Sequence, residues 1–351
     1  MKRFLAVLVV LALSLAMAST ALAAEKIGVA MPTQSLQRWN QDGANMKEKL
    51  EAAGYEVDLQ YADNDVARQV SQLENMILGG AKVLVVASID GSALGTVLAT
   101  AKEQGIPVIA YDRLIMQTDG VDYYATFDNY MVGTIQGQYI EEKLGLKDGA
   151  EGPFNIEFVG GSPDDNNALY FFQGAIDVLK PYMDEGKLVC PSGQVEFEQV
   201  ATMSWKTETA QARFDNIITA NYATGDVTLD AVLCSNDSTA MGVLNALANV
   251  GYEEYPIITG QDCDKPNMPY IIEGKQSMSV FKDTRTLAEK VVEMVQAIME
   301  GNEPEVNDTT TYDNGVKVVP SYLCAPVFGD ASNYVELLID SGYYTLEDIG
   351  Q

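Results

Sequence analysis

The sequence predicts an α/β protein built as two doubly wound parallel-sheet domains. Three observations carry this. Short, near-continuous apolar runs recur along the chain, each followed by a segment of helical period that stops near glycine, as expected for parallel strands covered by helices on both faces. The rhythm breaks at Phe127-Asp128-Asn129 and then restarts, giving two halves of similar size. The length of 351 residues, with 47% hydrophobic and 21% charged residues, suits roughly two globular domains and not a disordered acidic tail.

Taken in order, an apolar strand at Lys26 to Met31 precedes a helix from about Asp42 to Ala53, with Gly54 as its stop. A strand at Val57 to Tyr61 leads to a helix through Val70, Leu73 and Ile77 that ends at Gly79-Gly80. The strand Val83 to Ala87, a helix from Ala93 to Glu103 and the strand Pro107 to Tyr111 complete the first half. After the break come a helix at Tyr130 to Leu144, the strand Asn155 to Gly160, a helix at Ala168 to Leu179 and the strand Gly186 to Val189. A helix at Thr207 to Ala220, strands at Ala231 to Cys234 and Pro256 to Thr259, and the helix Ala240 to Val250 between them finish the second half. The helix Leu287 to Met299 and the stretch from Val318 onward come after both halves look complete, so the chain is expected to return to the first domain and cross once more. The expected division is 1–23 as a leader, 24–130 plus 282–319 as the N-terminal domain, and 131–281 plus 320–351 as the C-terminal domain.

The leader reading rests on Lys2 and Arg3, an apolar run from Phe4 to Met17 and a small-x-small site at Ala21-Leu22-Ala23, the layout of a cleaved secretory signal peptide. No cysteine follows that run closely, which argues against a lipid anchor and for a periplasmic location. In an oxidising compartment the four cysteines, Cys190, Cys234, Cys263 and Cys324, allow pairing, but no C-x-x-C spacing is present and buried free thiols fit equally well.

Composition removes whole classes of function. The chain has no histidine, so Ser-His-Asp or Cys-His hydrolysis and a His-liganded zinc site are excluded as usually built. Fifty Asp and Glu against 22 Lys and Arg give a net charge of −28, which opposes binding to a phosphate backbone and excludes nucleic acid as a partner. No G-x-x-x-x-G-K-[ST] loop occurs, and no G-x-G-x-x-G follows the first strand, so nucleotide binding has no support. The Asp63-Asn64-Asp65 cluster lacks the glycine and terminal glutamate of a calcium loop and reads as a helix cap. No metal or other cofactor is expected.

The informative residues stand at the carboxyl ends of the strands: Asp112 and Arg113, then Asp164 to Asn167, Asn236 and Asp237, Gln261 and Asp262, and Lys282 and Asp283. Ligands of open parallel sheets bind outside those ends. Carboxylates and amide oxygens that accept, beside Arg, Lys and Asn groups that donate, suit an uncharged polyol whose hydroxyls do both. The two tryptophans, Trp39 after Arg38 and Trp205, come one from each half and would give a pyranose an aromatic plane on each side. Each of these residues has a plainer reading as well: helix caps for the Asp and Asn, core for the tryptophans, a surface ion pair for Asp112-Arg113.

The runs Lys26 to Pro32, Arg38-Trp39, Ala110 to Arg113, Phe127-Asp128-Asn129, Gly160 to Ala168, Ser235-Asn236-Asp237, Gly260-Gln261-Asp262 and Phe281 to Thr284 resemble those of periplasmic sugar-binding proteins of the ribose/xylose class. Within it they are most similar to receptors that take several monosaccharides for an ABC transporter. The likeness spans the whole chain beyond the leader and departs from the family pattern at Cys234 and Cys263, where other small residues are expected. It implies a type I periplasmic binding protein fold with a three-crossover hinge. It also implies that Trp39 and Trp205 stack on a monosaccharide whose hydroxyls bond to Arg38, Asp112, Arg113, Asp165, Asn167, Asn236, Asp262 and Lys282. Arg38, Trp39, Asp112, Arg113 and Lys282 would come from the first domain or the hinge, the rest from the second.

The expected function is therefore capture of an aldopentose or aldohexose, such as glucose, galactose, xylose or arabinose, by a monomer that closes on its hinge and delivers the sugar to an inner-membrane ABC permease. A receptor acting mainly through a chemoreceptor or sensor kinase is the alternative. A glycosidase using Asp164 with Asp165 or Asp262 is the rival from another class, weakened because adjacent loop residues rarely flank one bond.

Overall fold

A computed structural model describes residues 24–351; the expected leader at 1–23 lies outside the described residues. The first lobe opens with β1 (Lys26–Met31), α1 (Gln37–Ala52), β2 (Glu56–Tyr61), α2 (Val66–Leu78), β3 (Val83–Val86), α3 (Gly95–Glu103), β4 (Val108–Tyr111) and β5 (Tyr123–Phe127). The second lobe follows with α4 (Asn129–Lys143), β6 (Phe154–Val159), α5 (Asn166–Asp184), β7 (Leu188–Val189), α6 (Thr207–Asn221), β8 (Ala231–Cys234), α7 (Asp237–Asn249), β9 (Ile257–Ile258) and β10 (Ser279–Phe281). The chain then returns to the first lobe through α8 (Thr284–Met299) and β11 (Ser321–Cys324) and crosses back to the second with β12 (Val327–Gly329).

The first sheet has the order β11-β5-β4-β3-β1-β2, and all of its pairings are parallel. The second is β7-β6-β8-β9, also parallel. It continues through a parallel bridge from Gln261 to Val280 into β10, which β12 covers antiparallel. Strand order reverses between β1 and β3 in one sheet and between β6 and β8 in the other, so a crevice opens at the carboxyl ends of these strands in both lobes.

Burial explains why the strands read as near-continuous apolar runs. On β1, Ile27, Val29 and Met31 face α1 and α8, while Ala30 faces the opposite layer with α2 and α3. The second sheet is layered alike, with Ile156, Phe158, Ala231 and Leu233 toward α4 and α5, and Val159, Val232 and Cys234 toward α6 and α7. Helices α4 and α5 cross closely because Gly133 and Gly174 face each other's backbone. A Cβ on either would collide with the partner helix, at the Phe171 and Tyr130 carbonyl groups respectively.

Three features differ from expectation. Helix α1 begins at Gln37, a turn before Asp42, because its first turn is polar and shows no hydrophobic period; Arg38, Trp39 and Asp42 therefore all lie on the helix. Strand β5, with its Tyr-Tyr-Ala-Thr-Phe sequence, went unrecognised although all but its first residue are buried. Residues 320–351 were expected in the second domain, yet Ser321–Cys324 pairs with β5 in the first sheet, so the last crossing falls at Ala325-Pro326. A short edge strand carries no local mark of the sheet it will join. Cys190, Cys234, Cys263 and Cys324 are unpaired, and all but Cys190 are buried. Asp65 caps α2 by accepting from the Arg68 amide, as the Asp63-Asn64-Asp65 cluster suggested.

Candidate functional site

Between the lobes lies a cleft with about 390 Å³ of space outside the protein atoms, part of it open to solvent. Arg38, Trp39, Asp112, Arg113, Asp165, Asn167, Trp205, Asn236, Asp262 and Lys282 all line it, with Leu36, Phe171, Gln261 and Asp264 completing the wall. Arg38 and Trp39 come from the first turn of α1, Asp112 and Arg113 from the end of β4, and Lys282 from the end of β10. Asp165 and Asn167 open α5, Asn236 caps α7, and Trp205 ends a turn of 3-10 helix before α6. Asp112, Trp205 and Asp262 have φ of 61°, 57° and 96°. Side chains rarely adopt this left-handed region, and such residues cluster where a fold holds a functional geometry.

The polar groups form an alternating charge network. Arg38 Nη2 lies 3.0 Å from both Asp42 Oδ2 and Asp112 Oδ1, and Nη1 lies 3.7 Å from Asp262 Oδ1. Lys282 Nζ sits 3.1 Å from Asp262 Oδ1. Across the cleft, Arg113 Nε is 2.9 Å from Asp165 Oδ2, which also accepts from Trp205 Nε1 at 3.2 Å. Asn167 Nδ2 donates to the Asp112 carbonyl at 2.6 Å, and the Tyr124 hydroxyl donates to Asn167 Oδ1 at 2.9 Å. Behind Arg38, Asp42 accepts a second bond from the Tyr111 hydroxyl. Burial pushes the Asp112 carboxyl up, but Arg38, Lys282 and Arg113 outweigh it and hold it below the usual range. Burial wins at Asp165, which is raised despite Arg113, and at Asp42, raised to about 6.

The plainer readings hold in part alongside the functional one. Asp165 caps α5 by accepting from the Asn167 amide, and Asn236 Oδ1 accepts from the Thr239 amide in a capping box. Trp39 and Trp205 are 1% and 5% exposed and pack into the cores of their own lobes. The same side chains nevertheless reach the cavity. The guanidinium carbons of Arg38 and Arg113 lie 4.5 and 5.0 Å from the centre of the Trp39 ring, each within cation–π range. Among the described residues, buried Trp39 Nε1, Gln261 Oε1 and Asp264 Oδ1 have no hydrogen-bond partner, which a group of hydroxyls able to donate and accept would supply.

Sequence reasoning did not single out Asp42, Tyr111, Tyr124, Phe171 or Asp264 for the site. Asp42 stands four residues after Arg38, a helical spacing visible only once α1 is known to start at Gln37. Tyr124 lies on the unrecognised β5, and Asp264 two residues past the Gly260-Gln261-Asp262 run. Asp164 bonds to the Ser162 hydroxyl and is absent from the cavity wall. Asp165 is tied to Arg113 and Trp205, so these neighbours do not form the acid and base pair that glycoside cleavage requires.

Residues 27–303 match the periplasmic binding protein domain family. The chain is 52% identical to the multiple sugar-binding periplasmic receptor ChvE of Rhizobium radiobacter, over 99% of this chain and 100% of that protein. It is 37% identical to the D-xylose-binding periplasmic protein of Escherichia coli strain K12, over 91% of each. A solved ABC transporter solute-binding protein from Clostridium phytofermentans, with bound β-D-glucose, superposes with a TM-score of 0.90 at 66% identity and covers 93% of this chain and 100% of its own. These relatives are transport receptors and binding proteins, not enzymes. With two parallel α/β lobes, a polar cavity between them and likeness along nearly the whole chain, the protein belongs to the periplasmic binding protein family.

Proposed function

We propose that the protein is a periplasmic solute-binding receptor that captures a monosaccharide between its lobes and delivers it to an ABC transporter permease. The observation that carries this reading is the cavity wall. Three cations and four carboxyl groups stand around it with two tryptophans, one from each lobe, and buried donors and acceptors that no group among the described residues satisfies. That set fits a neutral ring bearing hydroxyls, which offers both halves of each hydrogen bond and an apolar C–H face. Glucose is the sugar named with the Clostridium phytofermentans structure and xylose that of the Escherichia coli relative, so an aldohexose or aldopentose is the substrate class. Export through a cleaved leader at 1–23 and action as a monomer belong to the same reading.

Closure couples the lobes to the ligand. Arg113–Asp165 and the Asn167 bond to Asp112 tie one lobe to the other directly. A sugar that touches Arg38 and Asp112 on one side and Asp165 and Asn236 on the other gains its full set of bonds only when the cleft is shut, and thereby favours the closed form. The closed surface would then be what the permease recognises.

The test is a calorimetric and fluorescence titration of the mature protein with glucose, galactose, xylose and arabinose. Because both tryptophans line the cavity, the whole indole emission should respond to the right sugar. At a hundredfold excess over its Kd, that sugar should add about 2.7 kcal/mol of stability. Failure of every sugar to bind would overturn the proposal.

A further inference from the structure

Asp264 is the one acidic wall residue for which no cation is left over. The wall holds Asp112, Asp165, Asp262 and Asp264 against Arg38, Arg113 and Lys282. Arg38 is engaged by Asp42 and Asp112, Arg113 by Asp165 and Lys282 by Asp262. Asp264 is 8% exposed, and its Oδ1 is buried without a hydrogen-bond partner among the described residues. Its position is set by the backbone: Asp262 and Cys263 before it are in the left-handed region, and the Asp264 amide donates to Asp237 Oδ2 at 2.8 Å.

We infer that Asp264 contacts the bound sugar as a neutral carboxyl group and donates a hydrogen bond to one of its oxygens, an inference that rests on the sugar-receptor reading above. An ionised carboxylate there would be desolvated beside two other acids, Asp262 on its own loop and Asp237 at the start of α7, and desolvation and like charge both favour the protonated form. The remaining charged or titratable groups around it are Arg38 of α1, Lys282 after β10, Cys263 beside it and Tyr344 of the C-terminal segment. The two cations do not reverse the balance: burial first, then Asp262 and Asp237, raise the Asp264 carboxyl well above its usual range. The protein would thus add a carboxylic acid donor to a pocket whose other donors are permanent cations, amides and indole N–H groups. Asp264 would thereby share in setting which hydroxyl pattern is accepted.

The experiment measures affinity for the tightest-binding sugar of the panel between pH 5 and 9, in wild type, Asp264→Ala and Asp264→Asn, with thermal melts to verify folding. Asp264→Ala should weaken binding about tenfold at pH 6, while Asp264→Asn, which keeps a donor at every pH, should retain most of the affinity. Wild-type affinity should decline as pH rises and the carboxyl ionises, and the decline should be absent in Asp264→Asn. Equal affinity of Asp264→Ala and wild type would overturn the contact. A pH profile of Asp264→Asn that parallels wild type would overturn the neutral-donor role and assign the titration to another group. If wild type bound no sugar, the receptor reading itself would fall, a result distinct from either.

Discussion

Replacing Gly161 by alanine tests whether Trp205 is held where ligand contact requires it. Gly161 follows β6, and its φ lies outside the left-handed region, so alanine brings no backbone strain and the effect isolates side-chain contact. A Cβ built there falls within 2.5 Å of Cη2, Cζ2 and Cζ3 of Trp205, against about 3.4 Å for a tolerable contact. The nearest atom, Cη2, would stand only 2.0 Å away, so the indole must withdraw by about 1.4 Å. It has little room: Trp205 is 5% exposed, meets Phe171 edge to face with ring centres 6.2 Å apart, and donates from Nε1 to Asp165. Overpacking of this kind destabilises by about 1–3 kcal/mol, and weakening the bond to a charged acceptor adds a comparable amount to the loss of site geometry. At about 1.4 kcal/mol per decade, sugar affinity should fall roughly ten- to a hundredfold. Calorimetric titration gives the affinity, urea melts give the stability, and the emission of Trp205 in a Trp39→Phe background reports the ring itself. Unchanged affinity together with unchanged Trp205 emission would refute the argument that this ring is pinned against Gly161 and presented to the ligand.

Other expectations address the charges and the closed form. Arg113→Ala leaves Asp165 buried without its cation, a loss of about 3–5 kcal/mol in the closed state; binding should disappear in titrations while circular dichroism remains native. Asp42→Asn should weaken binding without removing any group from the cavity wall, because Asp42 holds the Arg38 guanidinium from behind, and Arg38 should then be read in the sugar-bound structure in a different rotamer. Gln37 donates to the Tyr344 hydroxyl at 2.8 Å and accepts from the Lys265 amide at 2.9 Å, joining α1 to the C-terminal segment and the second lobe; Gln37→Ala should speed sugar release about tenfold in stopped-flow traces. For pH, Asp42 is raised by burial to about 6 and Asp237 is raised by burial also. In the folded protein these groups keep protons that the unfolded chain loses near pH 4, so their contribution is complete at low pH and is lost as pH rises through the folded values. Asp112, held low, acts oppositely but only below about pH 4. The Tm of the sugar-free protein should therefore decline from pH 5 to 7.5, and a Tm that climbs across that interval would contradict the assignment.

What was legible in the chain was whatever depends on near neighbours. Strands buried on both faces must be apolar throughout, so β1, β3, β4, β6 and β8 stood out. Because ligands of such sheets meet the carboxyl ends of the strands, position alone marked the clusters at 112–113, 164–167, 236–237, 261–262 and 282–283, and the family resemblance chose Asp112, Arg113, Asp165, Asn236, Asp262 and Lys282 among them. The absence of histidine and the scarcity of tryptophan likewise needed no fold to exclude proton-transfer chemistry of the usual kind and to mark Trp39 and Trp205.

Tertiary structure decided what depends on distant partners. That β11 joins the first sheet is settled by a register with β5 nearly two hundred residues away, which no local pattern encodes. That Asp42 braces Arg38 required the true start of α1, and that Asp165 pairs with Arg113 required two lobes to face each other. The protonation of buried carboxyls belongs to the same category. Asp112 and Asp264 are the same residue type on similar loops, yet three cations hold one below the usual carboxylate range while burial among acids raises the other well above it. Coulombic and desolvation energies follow separation in space and exclusion of water, and the order of residues along the chain specifies those only through the fold.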